Sequence, residues 1–230
     1  MQGAGPVEIL HDVSLDVAYG EMVAVMGPSG SGKSTLLYCL ALAGLEAADA
    51  GGVGLVGHDL ARMSRKDLAV MRRTDVGFVF QSYNLIPTLT VIESVSLPHP
   101  LGRHRSDPAL VDRVLGSVGL TDRRDARPPT MSGGELQRVA LARVQQPRVT
   151  FADEPTGVLD TRTGHVVLDE LRGIAHTPDR CVLVVTHDPA VAAACDRVLF
   201  MRDGELVSEL RGAEVDEVAR TLATLGREEA

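Results

Sequence analysis

The sequence predicts an α/β fold with a mostly parallel sheet, and two observations lead to that prediction. Short apolar runs have the length of buried strands: Met22–Met26, Val76–Phe80, Val149–Ala152, Cys181–Thr186 and Val198–Met201. Stretches with helical patterning lie between most of these runs: Ser34–Leu42, Ala109–Val118, Glu135–Val144 and Thr163–Ile174. Strands that alternate with helices at this spacing are typical of a parallel sheet covered by helices on both faces.

The other stretches predict an antiparallel edge and a helical insertion. Val7–Val17 alternates between apolar and polar residues, which favours antiparallel strands. Strand signals are absent between 82 and 144, so we expect a helical lobe there. This lobe would be inserted into a sheet lobe made of 1–81 and 145–230, and the two lobes would form the single domain 1–230.

The tail after Gly212 predicts a terminal amphipathic helix. Apolar side chains recur there at helical spacing, with acids and arginines between them: Val215, Val218, Leu222 and Leu225. Such a stripe indicates a helix that packs one face against the body of the protein.

Composition excludes several function classes. The formal net charge is -8 and the pI is about 5.3, which disfavours a duplex DNA binder because that affinity comes from Lys and Arg neutralising phosphates. The three cysteines have no metal-ligand spacing. Met1–Leu10 does not have the pattern of a signal peptide, and no apolar run approaches the roughly 20 residues of a membrane helix. The sequence therefore predicts a cytoplasmic chain that binds no nucleic acid and does any membrane work through a partner.

A phosphate-binding loop follows the first predicted strand. The residues Gly27-Pro28-Ser29-Gly30-Ser31-Gly32-Lys33-Ser34 match the pattern G-x-x-x-x-G-K-[ST]. Glycines let successive backbone amides turn inward around phosphate oxygens, and the following helix adds the positive end of its dipole. A flexible Gly/Ser turn is the alternative, but the strand–loop–helix context favours nucleotide binding. We expect Lys33 to reach the outer phosphates and the Ser34 hydroxyl to be a ligand of Mg²⁺.

Two acids end the strand that begins at Val149. Asp153 and Glu154 follow an apolar run, a pattern that in isolation usually marks a solvated strand end. Paired with a phosphate loop, it predicts a different role. Asp153 would hold Mg²⁺ through water, and Glu154 would polarise the attacking water as the general base.

A further motif, Met131-Ser132-Gly133-Gly134-Glu135-Leu136-Gln137-Arg138, lies between these two. Together the three motifs resemble the nucleotide-binding subunits of ABC transporters over nearly the whole chain, and the third resembles their signature, usually written LSGGQ. The resemblance implies that Ser132, Gly133, Gly134 and Glu135 contact ATP held by the opposite subunit of a dimer. Ser132-x-x-Glu135 also matches a simple capping box, and both interpretations can hold at once.

Three smaller matches occur in the family order. Gln81 resembles the Q-loop glutamine, which senses ATP-bound Mg²⁺ and faces the membrane partner. Asp160 resembles the D-loop aspartate, which crosses the dimer interface. His187 resembles the switch histidine, which contacts the γ-phosphate. The resemblance implies that ATP contacts Gly27–Thr35 and Gln81. It implies that the metal ligands are Ser34, Gln81 and Asp153. The catalytic residues that it implies are Glu154, His187 and Lys33.

The fragments from Gly77 to Leu85 and from Ala152 to Gly157 look most like the macrolide- and lipoprotein-exporter branch. The resemblance implies a P-loop cassette that hydrolyses ATP with Mg²⁺ and works as a homodimer or heterodimer. It also implies an integral membrane permease that docks at Leu85–Leu101 and holds the cassette on the inner face of the membrane. A soluble ABC ATPase outside transport and a weakly hydrolysing structural subunit are the alternatives.

The sequence departs from the family at three places. The adenine-stacking aromatic would fall before Met1, and the first aromatic present is Tyr19, at a turn. Glu135 stands where Gln is usual, so its charge would repel a γ-phosphate unless it turns into the capping box. The link through Gln145 and Gln146 is about two residues short, so either the loop absorbs the change or Asp153 is displaced.

Overall fold

The structure, a computed structural model, describes residues 8–41, 50–97, 108–144 and 147–227. The strands are β1 (Met22–Met26), β2 (Gly54–Leu55), β3 (His58–Asp59), β4 (Val76–Phe80), β5 (Val149–Asp153), β6 (Cys181–Val185), β7 (Arg197–Arg202) and β8 (Glu205–Arg211). The helices are α1 (Lys33–Ala41), α2 (Arg65–Thr74), α3 (Val91–Ser96), α4 (Pro108–Ser117), α5 (Gly133–Arg143), α6 (Thr161–Ala175), α7 (Pro189–Ala193) and α8 (Val215–Arg227).

One six-stranded sheet organises the protein, in the order β4-β5-β6-β1-β7-β8. All neighbouring strands are parallel except β7 and β8. Every residue of β1 and of β6 is buried, because both strands lie inside the sheet with helices on both faces. The predicted α/β fold with a mostly parallel sheet is confirmed. Since the strands run in parallel, the carboxyl ends of β1, β4, β5 and β6 lie at one edge.

The antiparallel edge exists, but the prediction that Val7–Val17 forms it was wrong. Val7 lies outside the described residues, and residues 8–17 form no strand. The edge is formed instead by β8, which pairs antiparallel with β7. The alternation in the early segment has a different cause: Leu10, Val13 and Leu15 pack their side chains on one face of the sheet without joining the hydrogen-bond ladder.

Three larger apolar clusters stabilise the fold. Two cover the opposite faces of the sheet, because alternate residues of each strand point to opposite sides. A third forms among α3, α4 and α5. The described residues between 82 and 144 contain helices and 3₁₀ turns and no strand. We propose that this stretch is the inserted lobe and that 1–81 and 145–230 form the sheet lobe.

Helix α5 belongs to both parts of the protein. Val139 and Ala142 pack into the cluster with α3 and α4, while Leu141 and Val144 pack into the cluster on the sheet. A helix shared by two cores transmits displacement between them, since packed interiors have little room to deform.

The terminal helix is present as predicted, and its apolar face is narrower than the sequence indicated. Val218 and Leu225 are buried and Leu222 packs beside them, whereas Val215 is 44% exposed at the first turn. None of the helices in the described ranges combines the length and apolar character needed to cross a bilayer.

Candidate functional site

Four loops meet at the carboxyl edge of the sheet. The loop after β1 begins at Gly27, and Gln81 follows β4. Asp153 ends β5, in register with Phe80 on one side and Val185 on the other. The register brings together the phosphate loop, Gln81, the two acids and His187, which the sequence predicted separately. The short link before β5 therefore does not displace Asp153, although residues 145 and 146 themselves lie outside the described ranges.

The phosphate loop is folded around the Lys33 ammonium group. Lys33 Nζ donates to the carbonyl oxygens of Gly27 at 2.9 Å and Pro28 at 2.7 Å, and lies 3.3 Å from Ser31 Oγ. Burial lowers the Lys33 pKa, and the nearby charges of Glu154 and Asp153 oppose that shift. The amino end of α1 carries no acidic side chain in its first turn, so its dipole is free to attract an anion.

Two glycines of this loop have no room for a side chain. A Cβ at Gly27 would lie 2.1 Å from the main-chain oxygen of Met201 on β7. A Cβ at Gly32 would lie 3.0 Å from Leu10, and Gly32 has a φ of +96°, which favours glycine. The loop therefore depends on glycine both for its backbone angles and for its close packing against β7.

Asp153 lies half-buried between the phosphate loop and the second acid. Burial raises the pKa of Asp153, and the Glu154 charge raises it further; a hydrogen bond to Tyr38 and the Lys33 charge act in the opposite direction. The sequence analysis missed Tyr38. The available signal was its spacing, because residues four apart on a helix share a face, and Tyr38 lies four residues after Ser34 on α1.

The Glu154 carboxylate is held by the loop that follows β6. His187 Nδ1 lies 2.6 Å from Glu154 Oε1, and the His187 backbone N–H donates to the same oxygen at 3.0 Å. Thr186 Oγ1 donates to Glu154 Oε2 at 3.1 Å, a contact that the sequence did not reveal. The Glu154 side chain is 18% exposed, while that of His187 is 73% exposed. Glu154 also has a φ of +46°, an uncommon backbone angle that clusters at functional sites.

Gln81 lies against the loop that leaves Glu154. Its amide nitrogen lies 3.0 Å from the position that a Cβ at Gly157 would take, so a larger residue there would push the Gln81 side chain aside. Gln81 is exposed at the rim of the site. The structure thus places Gln81 beside the loop that carries Glu154, and its role near a metal and a partner stays a prediction.

The predicted signature segment begins α5 with a complete capping box. Ser132 Oγ accepts from the Glu135 N–H at 3.3 Å, and the Glu135 carboxylate accepts from the Ser132 N–H at 2.8 Å. Arg123 Nε donates to the same carboxylate at 2.8 Å. The bond from Ser132 is the main cause that lowers the Glu135 pKa; burial opposes it and Arg123 adds to it. The charge of Glu135 is thus turned back into its own helix.

The two signature glycines pack against the segment after β4 and against α6. A Cβ at Gly133 would lie 2.9 Å from the Tyr83 hydroxyl, and one at Gly134 would lie 2.6 Å from Thr163 Cγ2. Thr163 is held in turn by Asp160, which caps α6 through the Thr163 N–H at 3.0 Å and hydroxyl at 2.7 Å. The contacts of the two glycines thus join the amino end of α5 to the segment after β4 and to α6.

Tyr19 does not take the place of an adenine-stacking aromatic. The Arg148 guanidinium lies 5.1 Å above its ring. Both residues precede strands, Tyr19 before β1 and Arg148 before β5, so they lie at the amino edge of the sheet. A five-residue strand separates that edge from the phosphate loop by about 16 Å.

The predicted metal ligands at the site are oxygen donors of the kind that a hard cation prefers, but they do not complete its coordination by themselves. Within the described ranges no group of three or more His, Cys, Asp and Glu side chains is arranged to hold a metal. The predicted donors are a hydroxyl on Ser34, an amide on Gln81 and a carboxylate on Asp153, which is the ligand chemistry of Mg²⁺. Phosphate oxygens of a bound nucleotide would have to complete the coordination.

Comparisons with known proteins agree with this geometry. The family described as ABC transporter matches residues 10–157. The lipoprotein-releasing system ATP-binding protein LolD of Bordetella pertussis is 43% identical over 209 residues, which cover 89% of this chain and 90% of LolD. The macrolide export ATP-binding/permease protein MacB of Neisseria gonorrhoeae is 41% identical over 213 residues. Those residues cover 90% of this chain but 32% of MacB, so the chain spans about a third of the length of MacB and most of the length of LolD.

Among solved structures, the dimeric ATP-binding cassette MJ0796 in a post-hydrolysis state bound to ADP and Pi has a TM-score of 0.81. Its sequence is 34% identical, and the match covers 93% of this chain and 95% of that one. The similarity extends over the sheet and the helical stretch together.

Proposed function

Because the chain belongs to the ABC transporter family, we propose that it binds and hydrolyses ATP to power a membrane transporter of the macrolide- or lipoprotein-exporter type. The convergence of four strand ends on one edge supports this function. It places an anion-binding loop, a half-buried carboxylate and a carboxylate–histidine pair side by side, as hydrolysis of a nucleoside triphosphate requires.

ATP would bind with its phosphates in the loop Gly27–Thr35. The backbone amides of the loop and the amino end of α1 supply hydrogen bonds and positive potential. Lys33 would exchange its bonds to the Gly27 and Pro28 carbonyls for bonds to the outer phosphates. Because Lys33 is already partly desolvated, its charge acts in a weakly screened environment and gains strength there.

Hydrolysis would begin when Glu154 takes a proton from water. The water oxygen attacks the γ-phosphorus, the bond to the bridging oxygen of ADP breaks, and inorganic phosphate leaves. His187 would turn from Glu154 Oε1 towards the γ-phosphate, which frees that oxygen for the water, while the Thr186 bond keeps the carboxylate in place. Lys33 and His187 then stabilise the charge on the transferred group.

The donor set supports Mg²⁺ as the cofactor. When bound with ATP, Mg²⁺ supplies charge neutralisation on the phosphates. Ser34 and Gln81 would hold it directly and Asp153 through water.

Two copies of the cassette, or this chain and a related one, would close head to tail on two ATP molecules. Ser132, Gly133 and Gly134 of one copy would face ATP in the phosphate loop of the other. The amino end of α5 supports this arrangement, because Ser132 is exposed there and the Glu135 carboxylate is bound to the Ser132 N–H and to Arg123, which weakens its repulsion of a phosphate. Asp160 would contact the partner across the same interface.

We propose an integral membrane permease as the further partner, which would hold the cassette on the inner face of the membrane. Its docking segment would be Leu85–Leu101, of which residues 98–101 lie outside the described ranges. Ile86 is 46% exposed just after the Q-loop, which suits an apolar contact with a partner. The name of MacB joins ATP binding to a permease, and that name supports the pairing.

The test is Mg²⁺-dependent ATP hydrolysis by the wild type, Glu154→Gln and the matched control Glu205→Gln, which changes an exposed acid on β8. We expect turnover to fall at least about a hundredfold in Glu154→Gln and to stay unchanged in the control. EDTA should abolish turnover.

Two other results would favour the alternatives. ATP binding without turnover in any variant, even with membranes present, would indicate a weakly hydrolysing structural subunit. Turnover with no membrane protein captured by a crosslinker at Ile86→Cys in cells would favour a soluble ATPase outside transport.

A further inference from the structure

Helix α5 contains one fully buried polar side chain, Gln137. It is 0% exposed, and the other buried residues of the helix are all apolar: Val139, Ala140, Leu141 and Ala142. Gln137 Nε2 donates to the main-chain oxygen of Pro155 at 2.7 Å. This bond joins the helix that begins with the signature segment to the residue that follows Glu154.

Pro155 belongs to a tight loop that carries the proposed base. The Gly157 N–H donates to the Glu154 oxygen at 3.1 Å, and the Leu159 N–H donates to the Thr156 oxygen at 3.0 Å. The backbone at Glu154 has a φ of +46°, so the surrounding contacts must hold it there. Gln137 supplies such a contact, immediately beside the strained residue.

Packing alone does not account for a glutamine at this position. Gln137 Oε1 is buried and has no hydrogen-bond partner in the described part of the chain. A buried acceptor without a partner is destabilising, and a leucine or methionine of similar volume would avoid it. The structural contribution of the Gln137 amide is therefore the hydrogen bond that its N–H group donates to the Pro155 carbonyl.

We infer that Gln137 is a positioning residue that couples the signature helix to the Glu154 loop, and this inference rests on the function proposed above. In the closed dimer, the signature of a chain would face the partner's ATP, while Glu154 of the same chain acts on its own ATP. Gln137 lies about 7.5 Å along α5 from the Ser132 cap, since each helical residue adds about 1.5 Å. Binding of the partner's ATP at Ser132 thereby adjusts the position of Glu154, the base that acts on the chain's own ATP.

The main variant is Gln137→Met, which keeps the length of the side chain and removes the donor. The matched control is Thr150→Val, which removes a buried hydroxyl on β5, three residues before Asp153, where Oγ1 has no partner among the described residues. Gln137→Asn is the second variant, because it keeps the amide but is too short to reach Pro155. It replaces Gln137→Met if that variant does not fold.

Three measurements test the coupling. In steady-state hydrolysis, we expect kcat of Gln137→Met to fall about tenfold while the KM for ATP stays within twofold. In the Glu154→Gln background, ATP-driven dimerisation should be unchanged by Gln137→Met. In hydrogen exchange without nucleotide, the Gly157 and Leu159 amides should exchange at least about fivefold faster in Gln137→Met than in wild type or Thr150→Val.

The inference is overturned if active wild type and Gln137→Met have the same kcat, or if Thr150→Val loses as much. A rise in KM that matches the loss of kcat would also overturn it, because it would indicate general damage to packing. A wild type that binds ATP and never hydrolyses it would overturn the proposed function itself, and the coupling with it.

Discussion

The close contact between Gly134 and Thr163 allows a quantitative test of how the signature segment is held. Gly134→Ala would place a Cβ 2.6 Å from Thr163 Cγ2, about 1 Å closer than two carbon atoms normally approach. Thr163 cannot rotate away without breaking the 2.7 Å bond from its hydroxyl to Asp160. The substitution must therefore either strain the packing between α5 and α6 or break the bond from the Thr163 hydroxyl to Asp160, while the cap on the Thr163 N–H remains.

Both routes have a similar cost. Overpacking costs about 1–3 kcal/mol, and loss of one side-chain hydrogen bond costs about 0.5–1.5 kcal/mol. For a protein of this size, 1–3 kcal/mol corresponds to a fall in melting temperature of roughly 2–12 °C. Thr163→Ser removes the methyl group and keeps the hydroxyl, so the nearest remaining contact is Thr163 Oγ1 at 3.5 Å, an ordinary distance. The double variant should recover at least about 1 kcal/mol.

The assay is thermal and urea unfolding of the two single variants, the double variant and Gly173→Ala. Gly173 is the matched control, since it is an exposed helical glycine of α6 and its Cβ would meet nothing within 4 Å. Gly173→Ala should stabilise the protein by about 0.5–1 kcal/mol. The reasoning is refuted if Gly134→Ala is as well tolerated as Gly173→Ala, or if Thr163→Ser brings no recovery.

Three further predictions concern single side chains. Glu135→Gln should cost about 0.5–1 kcal/mol at pH 7 and low salt; since the Glu135 pKa is lowered, the loss should shrink in unfolding experiments as pH falls through that lowered pKa. Burial raises the Asp196 pKa, but bonds from Met22 N–H and His176 leave it below the ordinary value. Because Asp196 is partly exposed and solvent screens its charge, Asp196→Asn should cost about 0.5–1 kcal/mol at pH 7, and this cost should shrink as pH falls through the lowered pKa. A cost that does not decline with falling pH would contradict either assignment. Thr186→Val should lower kcat roughly tenfold with the KM for ATP unchanged, and an unchanged kcat would show that its bond to Glu154 is dispensable.

Periodicity and turn chemistry made most of the sheet predictable. The bounds of β1 and β4 were predicted to the residue, because largely buried parallel strands are continuous apolar segments. Strand β8 was missed, since its alternation resembles that of residues 8–17 and only pairing distinguishes the two. The hairpin β2–β3 was also missed, because two-residue strands carry no periodic signal.

The sequence by itself determined the chemistry of the site. Glycine spacing specifies a loop that can surround phosphate, and acids after apolar runs specify carboxylates at strand ends, because these properties depend on short segments of chain. Only the tertiary structure decided which groups touch. The bonds from Thr186 to Glu154 and from Gln137 to Pro155 join residues that are distant in sequence, and strand register and helix packing bring them together. Local pattern carries backbone preference and burial, whereas long-range contact depends on the simultaneous packing of elements that no single segment encodes.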